Sequence, residues 1–117
     1  MSAIEVFSEE NWLEEVLQSD RLILVDFQAP WCKSVFLKEM AAEEFLEKWG
    51  VMVRVGIVDA TRRPEIAIQC RIHEVPTLAL FDRGRILKFC VGSLRVEEMI
   101  RHVFTFAGLK EIGVLSE

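Results

Sequence analysis

Long hydrophobic runs, basic clusters and paired cysteines are all missing from this chain of 117 residues. No apolar stretch approaches the roughly 18 residues of a membrane span, so no membrane partner is expected. The opening Met1-Ser2-Ala3-Ile4-Glu5-Val6 lacks a basic region followed by an apolar one, so no signal peptide is expected. Lysine and arginine number 14 against 19 acidic residues, a net charge of −5 with no cationic cluster, which argues against nucleic acid as the partner. The 3 cysteines, Cys32, Cys70 and Cys90, are odd in number and far apart, so they are no disulfide framework. Without an export signal the expected compartment is the reducing cytoplasm. Repeats, low-complexity tracts and Pro/Gly/Ser linkers are absent too, and residues 1–117 read as a single domain. A hydrophobic content of 51% excludes a disordered chain and suffices for a core.

Strand-type and helix-type patterns alternate along the chain. Residues 3–7 make a short strand. Ser8 then offers an N-cap, and Glu9 and Glu10 suit the positive end of a helix running to about Ser19. Its helical spacing puts Trp12, Leu13, Val16 and Leu17 in a buried stripe. Residues 22–27 are a solid apolar run, as in a central strand covered on both faces, interrupted only by Asp26. From Lys33 to Trp49 the pattern is helical, with Leu37, Ala41, Phe45, Leu46 and Trp49 on one side and Gly50 as the stop. Residues 51–58 form a third strand, and Pro64 opens a third helix through Gln69. Pro76 precedes a fourth strand over 77–81. A tight turn at Asp82-Arg83-Gly84-Arg85 then pairs it with a fifth over 86–91. A last helix begins near Arg95 and buries Val96, Met99, Ile100, Val103 and Phe104. The order β-α-β-α-β-α-β-β-α predicts an α/β fold, a mixed five-stranded sheet flanked by four helices.

One constellation carries chemistry. The buried strand ends at Asp26-Phe27, a loop holds Pro30-Trp31, and Cys32 falls where the next helix begins. A cysteine there sits among unpaired backbone N–H groups and the positive dipole end, which favours the nucleophilic thiolate. Lys33 adds a positive charge. The plainer alternative is a small buried hydrophobe, a common role of free cysteine.

Several stretches together resemble the thioredoxin family. They are Leu24-Val25-Asp26-Phe27-Gln28-Ala29-Pro30-Trp31-Cys32, then Val58-Asp59 with Pro64-Glu65, then Val75-Pro76-Thr77-Leu78-Ala79-Leu80-Phe81, then Asp82-Arg83-Gly84 and Val91-Gly92. They stand in the family's order and spacing over about residues 3–107, leaving 108–117 as a C-terminal extension. The resemblance implies the thioredoxin fold, Cys32 as attacking thiol and Pro76 as a cis-proline beside it. It also implies a substrate groove in which the backbone of Val75 pairs with a bound peptide, bordered by Trp31 and Gly92.

The chain departs from the family signature Trp-Cys-Gly-Pro-Cys, reading Trp31-Cys32-Lys33-Ser34-Val35. Val35 stands where the resolving cysteine belongs. A neighbouring thiol owes its speed to effective concentration, which a valine cannot supply. Attack by Cys32 remains chemically possible, and its release then falls to an external thiol such as glutathione. Gln28 replaces the usual aromatic, Met40 the usual proline of the active-site helix, and Ile57 the lysine that accompanies the buried aspartate. Asp26 is kept. A carboxylate in an apolar strand has a raised pKa and costs stability unless hydrogen-bonded. Three roles stay open for it: a base for Cys32, a bonded structural group with Ser34 as a candidate partner, or a remnant of ancestry.

No metal or other cofactor is expected. Cys70-x-x-His73 is one pair where a structural zinc site uses two, and the Cys-Gly-Phe-Ser motif of iron–sulfur monothiol glutaredoxins is absent. Cys70 and Cys90 read as structural. The expected function is monothiol thiol–disulfide exchange on protein disulfide or thiol substrates. The alternative is a redox-inactive peptide-binding module with the same groove.

Overall fold

The computed structural model describes residues 4–31, 43, 46, 47, 50, 51 and 53–91, without the side chains of Lys88 and Cys90. Cys32, Val35 and Gly92 lie outside the described residues, as do Met40, the last helix with Phe104, and the extension 108–117.

Five strands form one mixed sheet: β1 (Glu5–Val6), β2 (Leu22–Gln28), β3 (Val53–Asp59), β4 (Thr77–Asp82) and β5 (Arg85–Val91), in the order β1-β3-β2-β4-β5. β3 runs parallel to both β1 and β2, while β4 is antiparallel to β2 and to β5. The first strand is shorter than the expected 3–7, since Phe7 already lies beyond it. The third begins at Val53 rather than 51, where Val51 is 90% exposed.

Helix α1 (Glu9–Trp12) starts at Ser8, whose backbone is extended and whose N–H donates to Asn11 Oδ1 at 2.8 Å. That bond satisfies a group the chain would otherwise leave open at the helix entry. The helix then widens into a π-helical segment (Leu13–Leu17), closed by Gln18 N–H donating to Leu13 O at 2.9 Å, an i→i+5 bond. Ser19 lies beyond that end. The buried stripe is accordingly narrower than α-helical spacing predicts. Trp12 and Val16 are buried, Leu17 is half-buried, and Leu13 is 55% exposed, a correction to the four-residue stripe. Glu43, Leu46 and Glu47 are helical, within the helix expected over 33–49. Helix α2 (Pro64–Gln69) opens on its proline as expected.

Period-two alternation along β2 divides two buried faces. On one, Ile23, Val25 and Phe27 join Val58, Ala79 and Phe81 beneath Trp12, Val16, Ile66 and Cys70. Trp12 meets Phe7, Phe27 and Phe81 edge-to-face, with ring centroids 6.0, 6.3 and 5.5 Å away. Such pairs add about 0.5–1.5 kcal/mol each beyond the area they bury. On the other face Leu24, Val55, Leu78 and Leu80 are buried around Asp26.

Candidate functional site

Register across the sheet fixes which residues meet at one end. Phe27 on β2 pairs with Thr77 on β4, and Thr77 pairs with Val91 on β5. The segments beyond these three residues therefore converge: Gln28 to Trp31 from β2, and Val75-Pro76 leading into β4. This is the carboxyl end of the parallel strands, where α/β sheets carry their ligand sites.

Trp31 stands out at 77% exposure, unusual for so large an apolar side chain, and immediately precedes Cys32 in the sequence. The Val75–Pro76 peptide bond is cis, Val75 is half-buried and Pro76 buried. Thr77 Oγ1 donates to Glu74 O at 2.6 Å and ties the loop to the start of β4.

Beneath this surface lie two polar side chains on one face of β2. Asp26 is 0% exposed and stands in register with Ile57 on β3 and Leu78 on β4. The place where the family pattern puts a lysine beside the aspartate is thus directly across from Asp26, and it is aliphatic. Gln28 is 9% exposed, and its Oε1 has no hydrogen-bond partner among the described residues. Its backbone carbonyl accepts from Ala60 N–H at 2.8 Å, so the strand itself is fully paired there.

The loop on the far side of α2 has a feature that residue types alone do not announce. Cys70 caps the helix, Arg71 N–H donates to Ile68 O at 3.0 Å, and Ile72 N–H donates to Ala67 O at 2.9 Å. These two bonds make a Schellman closure, whose pivotal residue is usually glycine. Here it is Arg71, with φ of +59°. Helix-stop signals of glycine or asparagine are absent from Cys70-Arg71-Ile72, so the sequence contains no cue to this closure.

Two hollows flank the loop. One, of about 250 Å³, is lined by Pro64, Ala67, Ile68, Ile72 and Val75 among others. The second, of about 320 Å³, lies between Arg71, Ile72, His73 and Glu74 on one side and Thr77, Phe89 and Val91 on the other. Phe89 and Val91, 42% and 52% exposed, share one face of β5 two residues apart.

Cys70 is buried, and burial pushes its thiol up to about 11, so it stays protonated and inert at neutral pH. His73, its Cys-x-x-His neighbour, is exposed. No group of three or more potential metal ligands occurs among the described residues. No helix among them is long and apolar enough to cross a membrane.

Comparison with known proteins agrees with this geometry. The Thioredoxin family model matches residues 3–105. The chain is 32% identical over 94 residues to Thioredoxin 1 of Nostoc sp., covering 80% of this chain and 88% of that protein. It is 34% identical over 86 residues to the thioredoxin of Alicyclobacillus acidocaldarius, covering 74% and 82%. With the thioredoxin of Buchnera aphidicola it shares 31% over 99 residues, covering 85% and 92%.

Proposed function

This chain belongs to the thioredoxin family, and we propose that it carries out thiol–disulfide exchange through one nucleophile, Cys32, as a monothiol protein. The Cys32 thiolate attacks one sulfur of a partner's disulfide. A Cys32–S–S–partner bond forms, the partner's S–S bond breaks, and the other sulfur leaves as a thiolate that takes up a proton. The thiolate of an external thiol, with glutathione as the representative, then attacks the partner's sulfur. This frees Cys32 and leaves a glutathione–partner mixed disulfide, which a second thiol reduces. Oxidation of the external thiol supplies the electrons, so the scheme needs no bound cofactor, and it suits a reducing cytoplasm.

The observation that carries this reading is the exposed Trp31 at the end of a central strand, joined directly to Cys32 in the sequence. With Val35 at the family's resolving position, nothing in the signature stretch Trp31 to Val35 completes an internal dithiol cycle. Asp26 serves as the proton acceptor and donor for this chemistry. Trp31, Val75, Pro76 and Gly92 border the groove that receives the partner's backbone, within a single domain spanning 1–117.

A second reading has an observation of its own. The 320 Å³ hollow with exposed Phe89 and Val91 suits a protein that binds peptides without turnover. One experiment separates the two. The rate of adduct formation with oxidised glutathione is followed by intact mass across pH, with Cys32→Ser as control. A rapid adduct with an apparent pKa below the ordinary value of about 8.5, absent from Cys32→Ser, is expected. An equal covalent yield from both proteins overturns the monothiol reading. Unchanged partner affinity in Cys32→Ser, together with a sluggish thiol, favours the binding module. Val35→Cys is expected to raise turnover of a protein disulfide, because it restores an intramolecular attack.

A further inference from the structure

The proposal concerns where the external thiol docks, and it rests on the monothiol reading. Arg71 holds a left-handed backbone, φ +59°, at a position where glycine closes helices without strain. A side chain there costs roughly 1 kcal/mol or more, and such outliers point from structure towards function. Arg83 has a similar backbone, φ +52°, but lies in the β4–β5 turn, and its guanidinium reaches Asp82 at 3.6 Å. Arg71 has no such carboxylate: its side chain makes no ion pair or hydrogen bond with the described residues.

That unpaired cation sits on the rim of the 320 Å³ hollow, whose other walls are Ile72, His73, Glu74, Thr77, Phe89 and Val91. The volume is at the low end for small-ligand sites, which start near 300 Å³. It suits a molecule of a few residues better than a folded surface. Glu74 and Thr77 flank Val75-Pro76, so the hollow abuts the loop assigned to the partner's backbone. In a chain of net charge −5, a guanidinium without a carboxylate partner marks the place where an anion is accepted.

We propose that this hollow is the docking site of the external thiol, a small anionic peptide thiol of the glutathione class, with Arg71 pairing one of its carboxylates. Phe89, Val91 and Ile72 supply the apolar wall for its backbone. Glu74, on the same rim, opposes a second carboxylate and sets an upper limit on affinity.

The test uses S-methylglutathione, which carries the carboxylates but no reactive thiol, titrated into the full chain by amide NMR. Saturable shifts at Ile72, His73, Thr77 and Val91 are expected at millimolar concentration. Arg71→Gly should weaken binding about fivefold or more, and it relieves backbone strain, so loss of folding does not confuse the result. Arg71→Lys should retain part of the affinity, and Glu74→Gln should increase it. The dimethyl ester of the same probe should bind wild type and Arg71→Gly equally. No saturable shifts from wild type, shifts confined to other strands, or equal affinity in Arg71→Gly overturns the proposal. The readout is independent of Cys32. Failure of the monothiol reading appears separately, as absence of the Cys32 adduct by mass.

Discussion

Two arginines mark the opposite ends of the parallel strands, and their surroundings differ in kind. Arg54, near the start of β3, is saturated. Its Nε and Nη2 donate to both carboxylate oxygens of Glu5 at 2.7 and 2.5 Å, and Nη2 also meets Glu15 Oε1 at 2.7 Å. Its Nη1 donates to Glu15 O at 2.8 Å and Ser19 Oγ at 3.2 Å. One side chain, 13% exposed, thereby ties β1 and the π-helical segment to β3, and its two carboxylates hold its pKa above the ordinary value. At the other end Arg71 has no partner among the described residues, and neither has the buried Gln28 Oε1. The contrast teaches where stability was satisfied and where polar groups were left available to something outside the fold. Satisfied groups hold an architecture together, and unsatisfied ones are retained at a cost to it.

The comparison breaks most visibly at the saturated end. Arg54→Ala leaves Glu5 and Glu15 without their shared cation and removes three connections at once. A loss of about 2–4 kcal/mol in chemical denaturation is expected, with the Cys32 reaction rate per folded molecule unchanged. A variant as stable as wild type would mean that the network contributes nothing net, as many ion pairs do.

Cys70 sharpens the same comparison, since it neighbours Arg71 and yet has no functional availability. Its folded-state pKa, about 11, lies above the ordinary value of about 8.5. The folded chain therefore keeps the proton longer than the unfolded one. Stability is fully present below about pH 8.5 and falls as pH rises towards 11. A decline on the order of 2–3 kcal/mol is expected over that window, and it should vanish in Cys70→Ala. At pH 8 iodoacetamide should label Cys70 only as fast as the chain unfolds.

Most of the fold was legible because its signals are periodic. The apolar run over 22–27, the Pro64 helix start and the Arg83-Gly84 turn each have a residue pattern that only one local structure suits. The π-helical widening was not legible, because Leu13 and Leu17 fit an α-helical stripe equally well and only the i→i+5 bond at Gln18 tells them apart. Ile57 was readable as the missing lysine because the register it occupies opposite Asp26 follows from ordinary parallel pairing. Arg71 was hidden for the opposite reason. Its role comes from a backbone conformation, and arginine advertises none.

Gln28 offers a smaller effect of opposite sign to Arg54. A buried acceptor with no donor among the described residues costs about 1–3 kcal/mol, whereas a leucine of similar size buries apolar surface instead. Gln28→Leu should therefore raise stability, by about 1 kcal/mol. A clear loss would show that Gln28 is hydrogen-bonded in solution, through a buried water or a group beyond the described residues.

The smallest effect separates strain from charge at the loop after α2. Arg71→Gly removes the clash between Cβ and carbonyl in the left-handed region, worth about 1–2 kcal/mol, and gives back part of it as unfolded-chain entropy. The net gain should be about 0.5–1 kcal/mol, a shift of a few degrees in Tm. Arg83→Asn is the proper control: its φ of +52° is relieved likewise, and the ion pair it forfeits is exposed at 3.6 Å and contributes little. If strain alone distinguishes these sites, both variants gain by similar amounts and neither changes binding of S-methylglutathione. If Arg71 is kept for a ligand, both are more stable than wild type and only Arg71→Gly binds worse. A residue whose removal stabilises the fold while weakening one ligand is one that the fold tolerates for that ligand's sake.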